Sequence, residues 1–226
     1  MCSRIFWNKT GLPMLVGRNE DWFESLQTKV YAFPRGLERD GAVDENPAIW
    51  TSKFGSVVGA CYDAAITDGM NEAGLNANLL YLAESDFGPR KTAKGGLSVS
   101  IFAQWILDNF ATVDEVLAAL EGVQVVPIYM MHFNDKVQSP FHYSIADRTG
   151  NSAVIEVLDG EFSVHQGPEV TVMTNSPPYA QQLELMRQYT GLGGDKPLPG
   201  GSQADERFAR GAYYLTGLPD EPSDYH

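Results

Sequence analysis

Residues 1–22 read MCSRIFWNKTGLPMLVGRNEDW, and most of what can be inferred about this chain begins in that stretch. Two short apolar runs, Ser3–Trp7 and residues 13–17, flank the turn-forming segment NKTG (8–11). Alternation of this kind around a turn predicts a β-hairpin. The charged segment RNED (18–21) follows the second strand, so we expect it to lie one hairpin away from the start of the chain.

Cys2 stands directly after the initiator methionine. A thiol attacks well only as thiolate, and a free cysteine has a pKa of about 8.5. If Met1 is removed, Cys2 acquires an α-amine, a group whose reference pKa is about 7.7–8.0 and which can take the thiol proton directly or through one water. The small second residue favours that removal. One residue would then supply nucleophile and base, whereas the alternative is an ordinary cysteine near a chain end.

Four other polar residues have a chemical and a structural interpretation. Arg18 could hold a carboxylate network or lower the thiol pKa, and Asp21 could accept from an α-ammonium; the alternative is a solvated charged turn. Asn175, in VMTNSPPY, could donate an amide N–H to an oxyanion or serve turn geometry before the prolines. Arg207, in DERFARG, lies on a predicted helix, where an arginine is most often a surface residue.

Composition excludes several classes of function. The formal net charge of −13 opposes binding to nucleic acids or to anionic membranes. No apolar run is long enough to span a bilayer, and no signal segment is present, so we expect a cytoplasmic protein, or a periplasmic one if a leader is absent from this sequence. Two cysteines make no disulfide framework, and four histidines without ligand spacing predict no metal and no cofactor. Cys61 is interpreted as a small buried hydrophobe.

The order of predicted elements indicates an α+β protein. Strand patterns come first, and helical spacing follows over residues 98–110 and 112–122, where Thr112 and Glu115 form a capping-box pattern. Residues 141–174 predict a meander of antiparallel strands, and two further helices are predicted over residues 178–191 and 203–217. The chain has no internal repeat, and its 226 residues suit one large domain or two small ones. The order of elements suggests antiparallel sheets with helices packed outside them.

Six motifs, taken together, resemble the choloylglycine hydrolase family. They are MCSRIFWN, VGRNEDW, TDGMNEAGL, HYSIADRTGNSAVIE, VMTNSP and PGGSQADERFARG, in that order along nearly the whole chain. The family includes conjugated bile salt hydrolases and penicillin V acylases, which are linear-amide C–N hydrolases with an N-terminal nucleophile. The resemblance implies a single domain over residues 1–226 with a four-layer αββα fold, in which two antiparallel sheets lie between helix layers.

The resemblance also implies a role for each polar residue. Cys2 would be the nucleophile and, through its amine, the base. Arg18 and Asp21 would position and polarise that pair. Asn175 would supply the oxyanion hole, and Arg207 would complete the charged network.

Two aromatic residues are expected to bind substrate. Tyr81 falls where the family carries Asn or Tyr; Tyr resembles the penicillin V acylase side, and the backbone N–H at 81 can join the oxyanion hole. Trp22, directly after Asp21, is expected to be a wall of the acyl pocket. Phe23 and residues 129–131 are pocket or core residues, and the sequence does not decide between the two.

The expected substrate is a small N-acyl amide, cleaved through an acyl-thioester. Alternatives are an N-acyl homoserine lactone acylase and a non-catalytic binding protein on the same scaffold. The segment between Asn175 and Arg207 is compact and lacks the long excursion with which many family members build a tetramer. The resemblance therefore leaves open whether the protein forms a homo-oligomer, either a dimer or a tetramer. The family resemblance implies further strands after DEPSDYH (220–226), so we expect the sequence to be incomplete at its C-terminus.

Overall fold

A computed structural model describes residues 1–9, 14–132 and 135–218. The strands are β1 (Ser3–Trp7), β2 (Leu15–Asn19), β3 (Lys29–Phe33), β4 (Glu38–Asp40), β5 (Ile49–Thr51), β6 (Ser56–Cys61), β7 (Ala65–Asn71), β8 (Asn76–Tyr81), β9 (Gly95–Ser98), β10 (Val123–Val126), β11 (Tyr129–His132), β12 (Asp135–Gln138), β13 (Phe141–Ala146), β14 (Ser152–Leu158), β15 (Glu161–Gln166) and β16 (Val172–Met173). The helices are α1 (Phe102–Asn109), α2 (Val113–Ala119), α3 (Tyr179–Met186) and α4 (Ala204–Thr216), with a 3₁₀ turn at Leu120–Gly122.

The N-terminal hairpin forms, but its second strand begins two residues later than predicted. β1 and β2 pair antiparallel, with Ser3 opposite Asn19 and Trp7 opposite Leu15. Arg18 is therefore part of β2, opposite Arg4, and not in the turn that follows it. Residues 10 and 11 of the predicted turn (8–11) lie outside the described residues.

Two antiparallel sheets form the centre of the fold. One sheet has seven strands in the order β15-β14-β13-β8-β7-β6-β3, and the other has the order β16-β1-β2. The predicted meander is confirmed for β13, β14 and β15, which are neighbours in the large sheet. The last strand of that region, β16, instead leaves the meander and pairs with β1.

Helices cover the outer face of each sheet. α1 packs against β7 and β8, and α2 buries Val113 and Val116 in the same core. On the opposite side α4 packs against α3, β1 and β16. The layers are therefore helix, sheet, sheet, helix, which confirms the predicted αββα sandwich. None of the helices in the described part of the chain combines the length and apolar character needed to cross a membrane.

The space between the sheets is filled by side chains from both. Leu80 and Val154 of the large sheet meet Cys2 and Val172 of the small one in a single buried cluster. Arg4 also lies here, fully buried, and donates to the Val170 carbonyl at 3.2 Å and to Ser152 Oγ at 3.1 Å. Its hydrogen bonds offset part of the cost of removing a guanidinium from water.

Helix boundaries follow local signals where such signals exist. The predicted capping box is confirmed: Thr112 accepts from the Glu115 N–H, and the Glu115 side chain accepts from the Thr112 N–H. α1 begins at Phe102, four residues later than predicted. Ser98, the predicted start, is the last residue of β9, and residues 99–101 form a turn. β9 pairs parallel with β10, and a pairing between strands so far apart in the sequence leaves no periodic signal.

Removing the cap should weaken α2. Thr112→Ala leaves a helix N–H without its acceptor, so the free energy of unfolding should fall by about 1 kcal/mol. Urea denaturation measures this change. Thr112→Ser keeps the hydroxyl and should stay close to the parent; an equal loss in both variants would show that the hydroxyl is not the stabilising group.

Candidate active site

Cys2 and Asn175 meet because two strands pair. In the antiparallel pairing of β1 with β16, Ile5 lies opposite Val172 and Arg4 opposite Met173. Continuing that register by two residues brings Cys2 opposite Asn175. The Cys2 N–H donates to Asn175 Oδ1 at 2.8 Å, and Cys2 is only 6% exposed, with a free thiol.

The Asn175 side chain connects three parts of the fold. Its Oδ1 accepts from Cys2 N and from an Arg207 guanidinium nitrogen, each at 2.8 Å. Its Nδ2 donates to the Tyr81 carbonyl at 2.9 Å. One amide therefore joins the start of β1, the end of β8 and helix α4.

Arg207 is partly buried, and its side chain contacts the start of the chain. Its guanidinium donates to the Cys2 carbonyl, to Ser3 Oγ at 2.5 Å and to the Ser202 carbonyl at 3.0 Å. Burial lowers the pKa of Arg207, and the nearby Cys2 thiolate would oppose that shift. The arrangement places a cation directly behind the Cys2 backbone.

Arg18 and Asp21 line the same cavity as Cys2, and their hydrogen bonds and ion pairs go to groups other than the thiol. The side chain of Arg18 is 7% exposed and donates to the Leu79 carbonyl at 2.8 Å, and it forms ion pairs with Glu20 at 3.3 Å and Asp68 at 3.1 Å. The carboxylate of Asp21 lies 3.6 Å from the amino group of Met1, which also donates to the Asp21 backbone carbonyl. Asp21 therefore faces the chain terminus, which here is the amine of Met1.

A cavity of about 300 Å³ opens beside Cys2. Its walls are mostly apolar and include Trp22, whose ring centroid lies 5.0 Å from Phe23 and 5.9 Å from Tyr81. All three aromatic residues line the cavity, so Phe23 belongs to the pocket. Tyr129 does not line it, and the side chains of residues 130 and 131 lie outside the described part of the chain.

Three residues of this region were not singled out for chemistry from the sequence. Glu20 and Asp68 hold Arg18, and Glu20 also reaches the cavity. Cys61 is buried as expected, but it lies on the cavity wall and donates its thiol to Glu20 Oε2 at 3.4 Å. Burial raises the pKa of Cys61 and keeps it neutral. Only the RNED segment hinted at Glu20, and no sequence signal joins residues 20, 61 and 68.

A buried glutamine on α3 holds the segment that carries Asn175. Gln182 Nε2 donates to the carbonyls of Asn175 and Pro177, the latter at 2.7 Å. Its Oε1 accepts from Thr174 Oγ1 at 2.6 Å. Gln182 is 1% exposed, so all three bonds are shielded from water.

A buried histidine and glutamate hold the same segment from the other side. His142 Nε2 lies 3.0 Å from the Thr174 carbonyl, and since a carbonyl only accepts, that nitrogen carries the hydrogen. His142 Nδ1 lies 3.2 Å from Glu156 Oε1, which also accepts from the N–H of Tyr179 at 2.9 Å. The sequence suggested no more for His142 than a strand or loop position.

The donors of this region do not form a metal site. In residues 1–9, 14–132 and 135–218, no three His, Cys, Asp or Glu side chains come together as metal ligands would.

An αββα sandwich with a cysteine at the head of its first strand is the architecture of the N-terminal nucleophile hydrolases. Residues 2–224 match the family model of linear amide C–N hydrolases, choloylglycine hydrolase family. The chain belongs to that family, which confirms the resemblance found in its motifs.

Two penicillin V acylases and one bile acid hydrolase illustrate the relationship. The penicillin V acylase of Pectobacterium atrosepticum is 39% identical over 226 residues, covering 96% of this chain and 60% of that protein. The solved penicillin V acylase of Agrobacterium tumefaciens superposes with a TM-score of 0.86 at 39% identity, over 97% of this chain and 67% of that one. The C2A mutant of the Clostridium perfringens conjugated bile acid hydrolase gives a TM-score of 0.80 at 26% identity, over 96% and 72%.

The chain is shorter than the relatives that it matches. It spans 60% of the Pectobacterium protein and 58% of a bile salt hydrolase/transferase from Clostridium perfringens.

Gln182→Leu should destabilise the fold. It leaves the Asn175 and Pro177 carbonyls buried without their donor, so the free energy of unfolding should fall by about 1–3 kcal/mol. Gln181→Leu is the matched control, because Gln181 is the exposed neighbour on the same helix. Urea unfolding of both variants measures the difference, and equal stabilities would contradict a supporting role for Gln182.

Proposed function

We propose that this protein hydrolyses the amide bond of small N-acyl substrates, with Cys2 as nucleophile and an acyl-thioester as intermediate. The observation that carries the proposal is the Asn175 amide, which joins Cys2, Arg207 and Tyr81 at the edge of an apolar cavity. Nucleophile, polar donors and acyl pocket therefore adjoin one another.

The base in this mechanism is the α-amine that Cys2 gains when Met1 is removed. The Cys2 nitrogen already lies 2.8 Å from Asn175 Oδ1, so the new amine keeps an acceptor that orients it. The amine takes the thiol proton, and the thiolate attacks the substrate carbonyl carbon. The carboxylate of Asp21 faces the Met1 amine in this structure. It therefore lies close to the end of the chain from which Met1 is removed.

Two N–H groups are suited to stabilise the oxyanion. Asn175 Nδ2 uses one hydrogen for the Tyr81 carbonyl and has a second. The Leu82 N–H donates to the Pro140 carbonyl, and hydrogen-bonded pairs alternate along antiparallel strands. The N–H of Tyr81 therefore points away from β13, as does the Tyr81 carbonyl that meets Asn175. Donors fixed in this way favour the tetrahedral intermediate over the planar amide.

The second half of the reaction returns the proton. As the C–N bond breaks, the α-ammonium gives its proton to the leaving amine, and the acyl group remains on the Cys2 sulfur. Water then attacks the thioester, releasing a carboxylic acid and the thiol. Arg207 fixes the Cys2 backbone through both steps, and Arg18 holds the Leu79 carbonyl in the pocket wall.

The cavity favours an apolar acyl group. Trp22, Phe23 and Tyr81 form an aromatic cluster that can pack against an aryl or alkyl chain. Phenoxyacetyl β-lactams, bile acid conjugates, N-acyl amino acids and N-acyl homoserine lactones all present such a group on a small polar amine. A panel of these amides under one set of conditions ranks them by kcat/KM.

Location and assembly remain predictions. We propose a cytoplasmic protein, or alternatively a periplasmic one. A homo-oligomer, as dimer or tetramer, is an open alternative that the sequence does not decide. Cell fractionation and light scattering of the purified protein would measure these properties.

Replacing the nucleophile should abolish turnover. Cys2→Ala removes the sulfur that forms the thioester, so amide hydrolysis should fall to background while the circular dichroism spectrum is retained. An assay with phenoxyacetyl and phenylacetyl amides measures this. Hydrolysis of the same amides by the Cys2→Ala variant at the parent rate would refute the assignment of the nucleophile.

Active protein should lack Met1. With Met1 retained, the Cys2 nitrogen is an amide and cannot accept the thiol proton. Intact-mass spectrometry of the active fraction should show loss of one methionine, and a preparation that keeps Met1 should be inactive. Full activity with Met1 present would exclude the α-amine as base.

A further inference from the structure

Among the described residues, four charged side chains line the cavity, and one of the four is a cation. They are Arg18, Glu20, Asp21 and Glu24. The charge of Arg18 is already matched, because its guanidinium forms ion pairs with both Glu20 and Asp68. The acyl pocket therefore carries surplus negative charge within walls that are otherwise mostly apolar.

We propose that Glu20 determines which acyl groups the enzyme accepts. Its carboxylate disfavours acyl groups that carry a negative charge and favours aryl or alkyl acyl groups that carry an amino or hydroxyl substituent. This inference rests on the proposed amide hydrolysis and names the substrate class of that site. Anionic groups of a substrate, such as a carboxylate, would then have to lie on the leaving amine.

The geometry of Glu20 supports a role inside the cavity. Glu20 is the first residue after β2, and its side chain is 18% exposed. Oε1 lies 3.3 Å from the Arg18 guanidinium, and Oε2 accepts from the Cys61 thiol at 3.4 Å. These contacts, one from the small sheet and one from the large sheet, hold the carboxylate on the cavity wall.

The carboxylate of Glu20 can accept further hydrogen bonds. An ionised carboxylate offers about four acceptor positions, and the contacts with Arg18 and Cys61 use two of them. One of these two is a thiol, which is a weak donor. A hydroxyl or ammonium group on a bound acyl chain would therefore find an acceptor, whereas a carboxylate would meet a like charge.

Arg18 pairs with Glu20 but is shared with Asp68, so one cation faces two carboxylates and does not cancel both charges. The other polar neighbours of Glu20 add no positive charge. Burial raises the pKa of Cys61, so the residue beside Glu20 is a neutral thiol. Burial and the hydrogen bond to Glu24 raise the pKa of Tyr62 to about 12, so this second polar lining group is neutral as well. Because apolar walls screen charge poorly, a like charge on the acyl group is strongly disfavoured.

Three matched amides test the proposal: the p-nitroanilides of phenylacetic, 4-(aminomethyl)phenylacetic and 4-carboxyphenylacetic acid. We expect kcat/KM for the aminomethyl compound to exceed that for the carboxy compound by about tenfold or more. In Glu20→Gln the ratio should fall to about threefold or less, because the repelling charge is gone. Glu20→Asp retains the charge and should retain a clear preference, which separates charge from packing.

A remote charge change serves as the control. Glu38→Gln removes one negative charge from an exposed strand position that does not line the cavity, so the ratio should stay at the parent value. The inference would be overturned if the parent protein did not prefer the aminomethyl compound over the carboxy compound, or if Glu20→Gln kept that preference. In either case, hydrolysis of the phenylacetyl compound would still support the proposed function.

Binding to an inactive variant tests the inference independently of turnover. Calorimetry with Cys2→Ala should show the aminomethyl amide binding more tightly than the carboxy amide, and adding Glu20→Gln should remove the difference. If the aminomethyl amide binds more tightly but the parent protein hydrolyses none of the amides, the role of Glu20 is supported and the proposed function is overturned. Equal affinities for the two amides would overturn the role of Glu20.

Discussion

The pairing of β1 with β16 is the constraint on which the site depends. It joins the start of the chain to a strand some 170 residues later and brings Asn175 opposite Cys2. A β-ladder is stiff, and a shift of one residue would turn every side chain of β1 to the other face. Such a shift would remove Cys2, Arg4 and Phe6 from the buried interior, so the core that favours the fold also holds the proposed nucleophile in register.

Burial makes the polar groups around Asn175 mutually dependent. Asn175, Gln182, His142 and Glu156 are all buried, and a buried polar group that loses its partner keeps the full cost of desolvation. Each residue therefore restricts the positions of the others. The result is an amide whose two donors and one acceptor point in fixed directions, which is what preorganised stabilisation of an oxyanion requires.

The cavity has this rigid polar group at its edge, and its wall is apolar except for a few charged side chains. Aromatic residues from the segment after β2 and from β8 give it an apolar character, which suits the apolar acyl groups of the proposed substrates. Glu20 interrupts that character with a carboxylate held between Arg18 and Cys61. The sandwich and its first strand define the class of protein, whereas the charge on the cavity wall bears on which acyl groups this chain would accept.

Local patterns in the sequence determined the hairpin, the capping box of α2, the meander β13–β15, the start of α3 and the approximate limits of α4, because each depends on residues close in the chain. The predicted end of α3 at Gly191 was wrong, since the helix stops at Met186. Position 2 alone suggested the chemistry of Cys2, since an α-amine next to a thiol needs only the chain end. Motif order was enough to identify the family and, through it, the sandwich. Tertiary structure alone decided that Arg207 lies behind Cys2, that Gln182 and His142 hold Asn175, and that Glu20 meets Cys61. These contacts join residues that lie far apart in the chain, and only the packing of two sheets and their helices brings such residues together.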